Sequence, residues 1–361
     1  MAEQIFKRIA VKVGSNVLTR PDGTLDTDRM ADIVAQTAGL RASGVEVILI
    51  SSGAVASGRN EIQPSKKLDA VSSRQLYSAV GQVKLINHYF ELFRKHRLLC
   101  GQILTMKENF ASRTHYLNQK NCMETMLENG VIPIVNENDT VSVTELMFTD
   151  NDELSGLVAA MMNMDALIIL SNVDGIYDGD PALPTSHIIP EISATSDVLA
   201  FIRPGRSSFG RGGMVTKYTI ARKVADEGIP VIIANGMRKA VLTDLVAGKP
   251  TPHTRFLPSP KPASNIKKWI AHSEDFAKGE IHIDRGAEQA LYGSRATSIL
   301  FVGITRIAGR FRKDDIVRII NAEGKAIGVG RAGYDYEKAL PLIGKRKNRP
   351  AIHYDYLYLD G

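Results

Sequence analysis

Apolar positions along the chain follow two alternating rhythms. Ile9 to Val13 is a short β-rich run closed by Gly14, and the spacing of Met30, Ile33, Val34, Thr37 and Leu40 then predicts a helix over residues 26–43, ended by Gly44. Val45 to Ile50 is continuously apolar, as expected of a strand covered on both faces by crossover helices. The pattern repeats with a helix over 68–95, a strand over 98–104, a helix over 115–128 and a strand over 131–135. Helices over 153–162 and 214–226 and strands over 166–170 and 229–234 complete it. Such alternation predicts an α/β domain with a mostly parallel central sheet flanked by helices, in which ligands bind beyond the carboxyl ends of the strands.

Beyond Gly248 the rhythm breaks. The segment GKPTPHTRFLPSPK is dense in proline and reads as a linker or irregular edge. Short β-like pieces follow at 281–284, 298–301, 316–320 and 326–329, separated by glycines and charged turns, and predict a small β-barrel-like tail. The expected organisation is a large domain over 1–260, a linker over 261–276 and a second domain over 277–361. A chain of 361 residues is longer than one core usually supports.

Composition, with 44% hydrophobic and 23% charged residues, is that of a globular chain and excludes disordered and fibrous classes. No apolar run reaches the roughly 18 to 20 residues that span a bilayer, and Lys7, Arg8 and Lys12 interrupt the N-terminal apolar residues, so a cytoplasmic protein without a membrane partner is expected. The two cysteines, Cys100 and Cys122, form no Cys-x-x-Cys pair and are read as reduced. The eight histidines are scattered and mark no zinc site. Net charge is +6, and residues 277–361 hold 15 Lys and Arg against 10 Asp and Glu, so five of those charges belong to the tail. A solvated basic surface and an RNA-binding one both fit that excess.

Chemistry concentrates where the predicted strands end. Lys12 and Gly14 follow the first, and Ser51-Ser52-Gly53-Ala54 the second, where small residues admit a ligand close to the backbone. Asn136-Glu137-Asn138-Asp139 follows the strand over 131–135, and Thr149-Asp150-Asn151-Asp152 opens the next helix. An Asx-turn and a helix N-cap explain either acidic cluster singly but not the two together. Ser171-Asn172 leaves a later strand. Gly210-Arg211-Gly212-Gly213-Met214-Val215-Thr216-Lys217 runs into a helix whose first N–H groups suit an anion, although glycine loops also occur without ligands. No Gly-Lys-Ser/Thr occurs, which excludes a P-loop, and no Gly-x-Gly-x-x-Gly follows the first strand, which excludes a dinucleotide fold.

In order and spacing, VKVGSNVL, ISSGAVASG, VNENDTV, DNDELSG, LSNVDGIY and GRGGMVTK resemble the motifs of glutamate 5-kinases, within the amino acid kinase superfamily. The tail, with GEIHIDRGAEQAL, resembles a PUA domain. The likeness implies ATP-dependent phosphorylation of the glutamate side-chain carboxylate to glutamyl 5-phosphate, at the start of proline biosynthesis. It further implies Mg²⁺ on the phosphates with no protein ligand assigned to it, proline as feedback inhibitor, and a homo-oligomer, dimer or tetramer. A carboxylate of pKa about 4.3 is already ionised at neutral pH and needs no general base, so positioning and positive charge should carry the reaction.

On this reading Lys12 and Lys217 flank the phosphoryl group, Asp152 orients both lysines, and Asp139 and Asp150 accept from the substrate's α-ammonium. Asn151 and the Ser52-Gly53 backbone donate to its α-carboxylate, with Asn136 beside them. Gly14, Ser171, Asn172, Arg211, Gly212, Gly213, Met214, Val215 and Thr216 join the two lysines at the nucleotide. The chain departs from the family pattern with Ser171-Asn172 in place of Thr-Asp and Arg211 in place of a small residue, so nucleotide preference is less determined than reaction type. Two alternatives remain: a kinase of this fold with another amino acid or nucleotide as acceptor, and an RNA-binding protein acting through its tail. A nucleotide acceptor would call for Arg or Lys near Asp139, and residues 140–149 contain none.

Overall fold

The structure is a computed structural model that describes residues 5–111, 113–142, 148, 150–194, 196, 198, 201–202, 213–260, 277–293 and 297–359. The expected linker at 261–276 lies outside the described residues. Two compact units divide the chain, one of residues 1–109 and 116–262, the other of 110–115 and 263–361.

In chain order the first unit runs β1 (Arg8–Val13), α1 (Ser15–Leu18), α2 (Thr27–Ala42), β2 (Glu46–Ser51), α3 (Ala54–Arg59), α4 (Ala70–Lys95), β3 (Leu99–Thr105), α5 (Lys107–Ala111) and α6 (Arg113–Glu128), of which residues 110–115 fall in the other unit, and β4 (Val131–Glu137). It continues with α7 (Asn151–Met162), β5 (Ala166–Ser171), β6 (Glu191–Ile192), α8 (Met214–Asp226), β7 (Val231–Asn235), α9 (Val241–Val246) and β8 (His253–Phe256). The sheet order is β3-β4-β2-β1-β5-β7-β8-β6, parallel except between β7 and β8. Ile9, Val11 and Val13 of β1 and Val47 and Leu49 of β2 are fully buried, as the continuous apolar runs required.

The segment read as a linker or irregular edge contains β8, which pairs antiparallel with β7. Thr254 and Phe256 alternate inward within it and are completely buried. Thr254 Oγ1 accepts from Ile176 N at 2.8 Å and donates to Ile189 O at 2.7 Å, so one hydroxyl fastens the sheet to the loop after β5. A four-residue alternation between prolines is too short to register as a strand.

The close pass of α3 and α4 was equally hidden. A Cβ on Gly58 would stand 1.8 Å from Tyr77 O, and one on Gly81 1.8 Å from Ala54 O, so both glycines exist to let the helix backbones touch. From α4, Tyr89 OH meets Ser51 Oγ at 2.8 Å and Gln82 Oε1 accepts from Asn136 Nδ2 at 3.0 Å, so the helix reaches the ends of β2 and β4.

The second unit comprises β9 (Gly279–Ile283), α10 (Arg285–Leu291), β10 (Ile304–Gly309), β11 (Ile316–Ile320), β12 (Ala326–Arg331), α11 (Tyr336–Ala339) and β13 (Leu357–Leu359). Its sheet order is β10-β9-β11-β12-β13, with β9 and β11 parallel and the other pairs antiparallel. The expected strand over 298–301 is instead a single bridge between Ile299 and Ile352 followed by a 3₁₀ turn, while β10, β13 and α10 had no expectation. Asp284 caps α10 by accepting from Ala287 N at 2.7 Å.

Candidate active site

A cleft of about 1070 Å³ opens at the carboxyl ends of β1, β2, β4 and β5, where a parallel sheet places its ligands. Lys12, Gly14, Ser52, Gly53, Asn136, Asp139, Asp150, Asn151, Asp152, Ser171, Asn172, Gly213, Met214 and Lys217 all line it, so residues 205 positions apart in sequence converge there. Val215 and Thr216, expected at the nucleotide, do not line the cleft. On α8 the face that carries Met214 and Lys217 turns away at the two positions between, and Val215 is exposed. Arg211 and Gly212 lie outside the described residues.

At the centre Asp152 sits in the first turn of α7 with no exposed surface, between two ammonium groups. Lys12 Nζ, at the end of β1, is 2.6 Å from Asp152 Oδ1, and Lys217 Nζ, in the first turn of α8, donates to Oδ2 at 3.0 Å. Burial opposes the carboxylate charge, but Lys12 and then Lys217 more than offset it and hold the Asp152 carboxyl at about 2. Both lysines are less than a tenth exposed. The three charges leave one net positive charge facing the cleft. Gly14 permits this packing, because a Cβ there would lie 3.1 Å from Leu170 O and 3.5 Å from Lys12 Nζ.

Gly213 opens α8 with no side-chain cap, so it offers no acceptor to the first N–H groups of that helix, and Gly213, Met214 and Lys217 line the cleft together with Ser171 and Asn172. Gly53 plays a different part: at φ +105° it turns the chain from β2 into α3, a conformation that other residues resist.

Asp150 is at once the N-cap and a site residue. Its Oδ1 accepts from Asp152 N at 2.8 Å and Glu153 N at 3.1 Å, while its buried Oδ2 has no hydrogen-bond partner. Burial first, and the neighbouring Asp152 charge second, push its carboxyl up to about 6. One oxygen thus serves the helix cap, and the other is buried without a partner in a residue that lines the cleft.

Asn151 Nδ2 approaches Ser52 Oγ at 2.9 Å, Asn136 Oδ1 at 3.0 Å and Ser51 O at 3.3 Å. These acceptors occupy its amide donors, so Asn151 ties β2 and β4 to α7 and its side chain has no N–H left for an α-carboxylate. Asn136 Nδ2 donates in turn to Gln82 Oε1 at 3.0 Å.

The residue that sequence reasoning missed is Arg74. From the second turn of α4 its Nε donates to Asp139 Oδ1 at 2.9 Å, and its Nη2 donates to Asp139 and, at 3.1 Å, to Glu137 Oε2. The absence of basic residues in 140–149 thus said nothing about the charge beside Asp139, because the cation arrives from another element. The signal available was compositional: Ser72, Ser73, Gln75 and Ser78 give this half of α4 small polar residues where a core-facing helix would carry Leu or Ile, and Ser78 is buried.

Residues 7–235 match the amino acid kinase family and residues 279–351 the PUA domain. A glutamate 5-kinase of Bacteroides thetaiotaomicron is 63% identical over 359 residues, covering 99% of this chain and 100% of the relative. The chain belongs to the glutamate 5-kinase family. A glutamate 5-kinase of Chlorobaculum tepidum is 47% identical with 98% of both chains covered, and one of Trichlorobacter lovleyi is 37% identical over 99% of this chain and 97% of its own. As in other amino acid kinases the phosphoryl donor is ATP, and the amino acid kinase fold and the separate PUA sheet are both present. Among the described residues no helix is long and apolar enough to cross a membrane.

Proposed function

We propose that this cleft transfers the γ-phosphoryl group of ATP to the side-chain carboxylate of L-glutamate, giving L-glutamyl 5-phosphate, with Lys12, Asp152 and Lys217 as the catalytic centre. The buried Lys12–Asp152–Lys217 cluster carries the reading. A carboxylate attacking a triphosphate meets charge repulsion above all, and two ammonium groups fixed by one buried carboxylate supply preorganised positive charge without reorganisation during transfer. The uncapped start of α8 and the loop at Ser171 and Asn172 suit the remaining phosphates and the nucleoside, and Arg211 and Gly212 are assigned there by resemblance. Asp139 and Asp150 accept from the substrate's ammonium group, near the backbone of Ser52 and Gly53.

Mg²⁺ fits this donor set as an ion carried by phosphate oxygens. Asp152 is neutralised by two lysines and Asp139 and Glu137 are engaged by Arg74, leaving Asp150 Oδ2 as a buried carboxylate oxygen with neither a hydrogen bond nor an ion pair. When bound it would neutralise phosphate charge. Proline, as an α-amino acid with the same two α-charged groups, is assigned as an inhibitor at the substrate end. A homo-oligomer, dimer or tetramer, and a cytoplasmic location complete the proposal. RNA binding by the basic tail is an additional reading, and it requires an affinity that weakens as salt rises.

Turnover of ATP and Mg²⁺ on glutamate, aspartate, acetylglutamate and uridine monophosphate in parallel, with hydroxylamine trapping of acyl phosphate, tests the central claim. Glutamate-dependent hydroxamate that disappears in Lys217→Ala is expected. Hydroxamate from another acceptor alone would overturn the substrate, and silence with every acceptor the activity.

A further inference from the structure

We infer that Arg74 is a specificity-determining residue that binds the substrate's α-carboxylate, and that with Asp139 it forms a two-charge clamp for the zwitterionic end of the amino acid. The inference rests on the glutamate reading above and names the group that selects a free α-carboxylate.

Three observations carry it. Arg74 is held in place: Glu137, only 2% exposed, accepts from Phe148 N at 2.9 Å and from Arg74 Nη2, so it anchors the guanidinium from the floor of the cleft. The rest of α4 is pinned to the same loop, since Gln75 Nε2 donates to Thr140 O at 2.8 Å and Gln82 meets Asn136, while the touching backbones at Gly58 and Gly81 fix the helix axis. A guanidinium fixed in this way loses little freedom when a ligand arrives.

Arg74 and Asp139 each keep one atom open. Arg74 spends Nε and Nη2 on carboxylates, and Nη1 has no bond among the described residues and is not among the buried unpartnered atoms. Asp139 accepts through Oδ1, and among the described residues its Oδ2 has no partner and is not buried. Both residues line the cleft. An amino acid's ammonium and α-carboxylate stand side by side on one carbon, so an adjacent carboxylate oxygen and guanidinium N–H meet them as an antiparallel pair of charges.

Charge closes the account. Arg74 against Glu137 and Asp139 leaves one net negative charge, which an ammonium neutralises, and the α-carboxylate then needs N–H donors, which Arg74 Nη1 still has. Asn151 cannot give a donor, its amide being spent on Ser52, Asn136 and Ser51. Lys12 and Lys217 are committed to Asp152 and the phosphoryl end. The Asn136–Asn151 hydrogen bond joins the segment that carries Asp139 to the one that carries Asp152, and Arg74 lines the same cleft as both lysines, so α-groups held at Arg74 leave the side chain within the cleft that holds the phosphoryl end.

Isoglutamine, which replaces the α-carboxylate by a neutral amide of the same shape, is the probe. Calorimetric Kd and hydroxamate kcat/KM are measured for glutamate and isoglutamine with wild type, Arg74→Met and Arg74→Lys. A charge-assisted hydrogen bond lost from a ligand corresponds to roughly 10- to 150-fold. Arg74→Met should therefore weaken glutamate by about that factor, chiefly in KM, while changing isoglutamine less than about threefold. Arg74→Lys should recover part of the preference, and it decides the question if the Met variant does not fold. An equal loss for both ligands would reduce Arg74 to a prop for Asp139, and no loss for glutamate would also overturn the inference. Wild type that binds glutamate but makes no hydroxamate would instead sink the kinase reading, with the Kd comparison still deciding this one.

Discussion

Asp152→Asn tests whether the cleft is built around one carboxylate between two lysines. The substitution keeps the shape and one acceptor oxygen but removes the charge that Lys12 Nζ meets at 2.6 Å and Lys217 Nζ at 3.0 Å. With the folded carboxyl at about 2 and the unfolded one near 3.9, the charged form gains roughly 2 to 3 kcal/mol from folding. The folded value is the lower, so this stability is present above about pH 4 and is lost as pH falls toward 2. The variant should therefore melt about 5 °C lower at pH 7.5, at roughly 2 °C per kcal/mol for a unit of this size, and the gap to wild type should close as pH falls toward 2. Turnover should drop about 10²- to 10³-fold, because the two lysines lose their fixed direction. ATP should raise the variant's melting temperature more than that of wild type, its phosphates replacing the missing anion between the lysines. Hydroxamate release and thermal denaturation over pH 3 to 8, with and without ATP, read all three. Full turnover with an unchanged melting curve would refute the assignment of Asp152.

Further outcomes follow from single observations. Lys217→Ala should lower kcat about 10²-fold or more while moving the KM for glutamate little, since its ammonium faces the phosphoryl end; a change confined to KM for glutamate would contradict this. The Asp150 carboxyl, raised to about 6, must be ionised to accept from an ammonium, so kcat/KM for glutamate should climb as pH rises through about 6, and Asp150→Asn should flatten that rise. The sign for stability is the reverse of Asp152: a raised folded value penalises the native state as pH rises from about 4 through 6. Asp150→Asn, which keeps the N-cap, should thus be more stable at pH 7.5 by up to about 3 kcal/mol, and denaturant melts would show it. Gly81→Ala should cost about 3 kcal/mol or more and weaken glutamate binding with it, because the new Cβ meets Ala54 O at 1.8 Å and pushes α4 with Arg74 off the cleft; a silent substitution would mean that the α3–α4 contact does not position the site.

Continuous apolar runs and glycine stops along the sequence determined the parallel sheet and most of its helices, since period and burial are local properties of a strand or helix. Small, basic and acidic residues at the strand ends also marked where the cleft would open, because in such a sheet those ends share one edge. The likeness to glutamate 5-kinases already had Asp152 orienting Lys12 and Lys217, but the 2.6 and 3.0 Å contacts that seat it between them, and the division of the Asp150 oxygens between a helix cap and the cleft, required strand register and the start of α8, which no local pattern encodes. The strand at 253–256 needed β7 beside it before its alternation meant anything. Arg74 shows the limit most clearly: it lies 65 positions from Asp139, on a helix placed by two glycines whose purpose appears only when the backbones meet. Sequence distance set the chemistry available, and packing decided which charges would face one another.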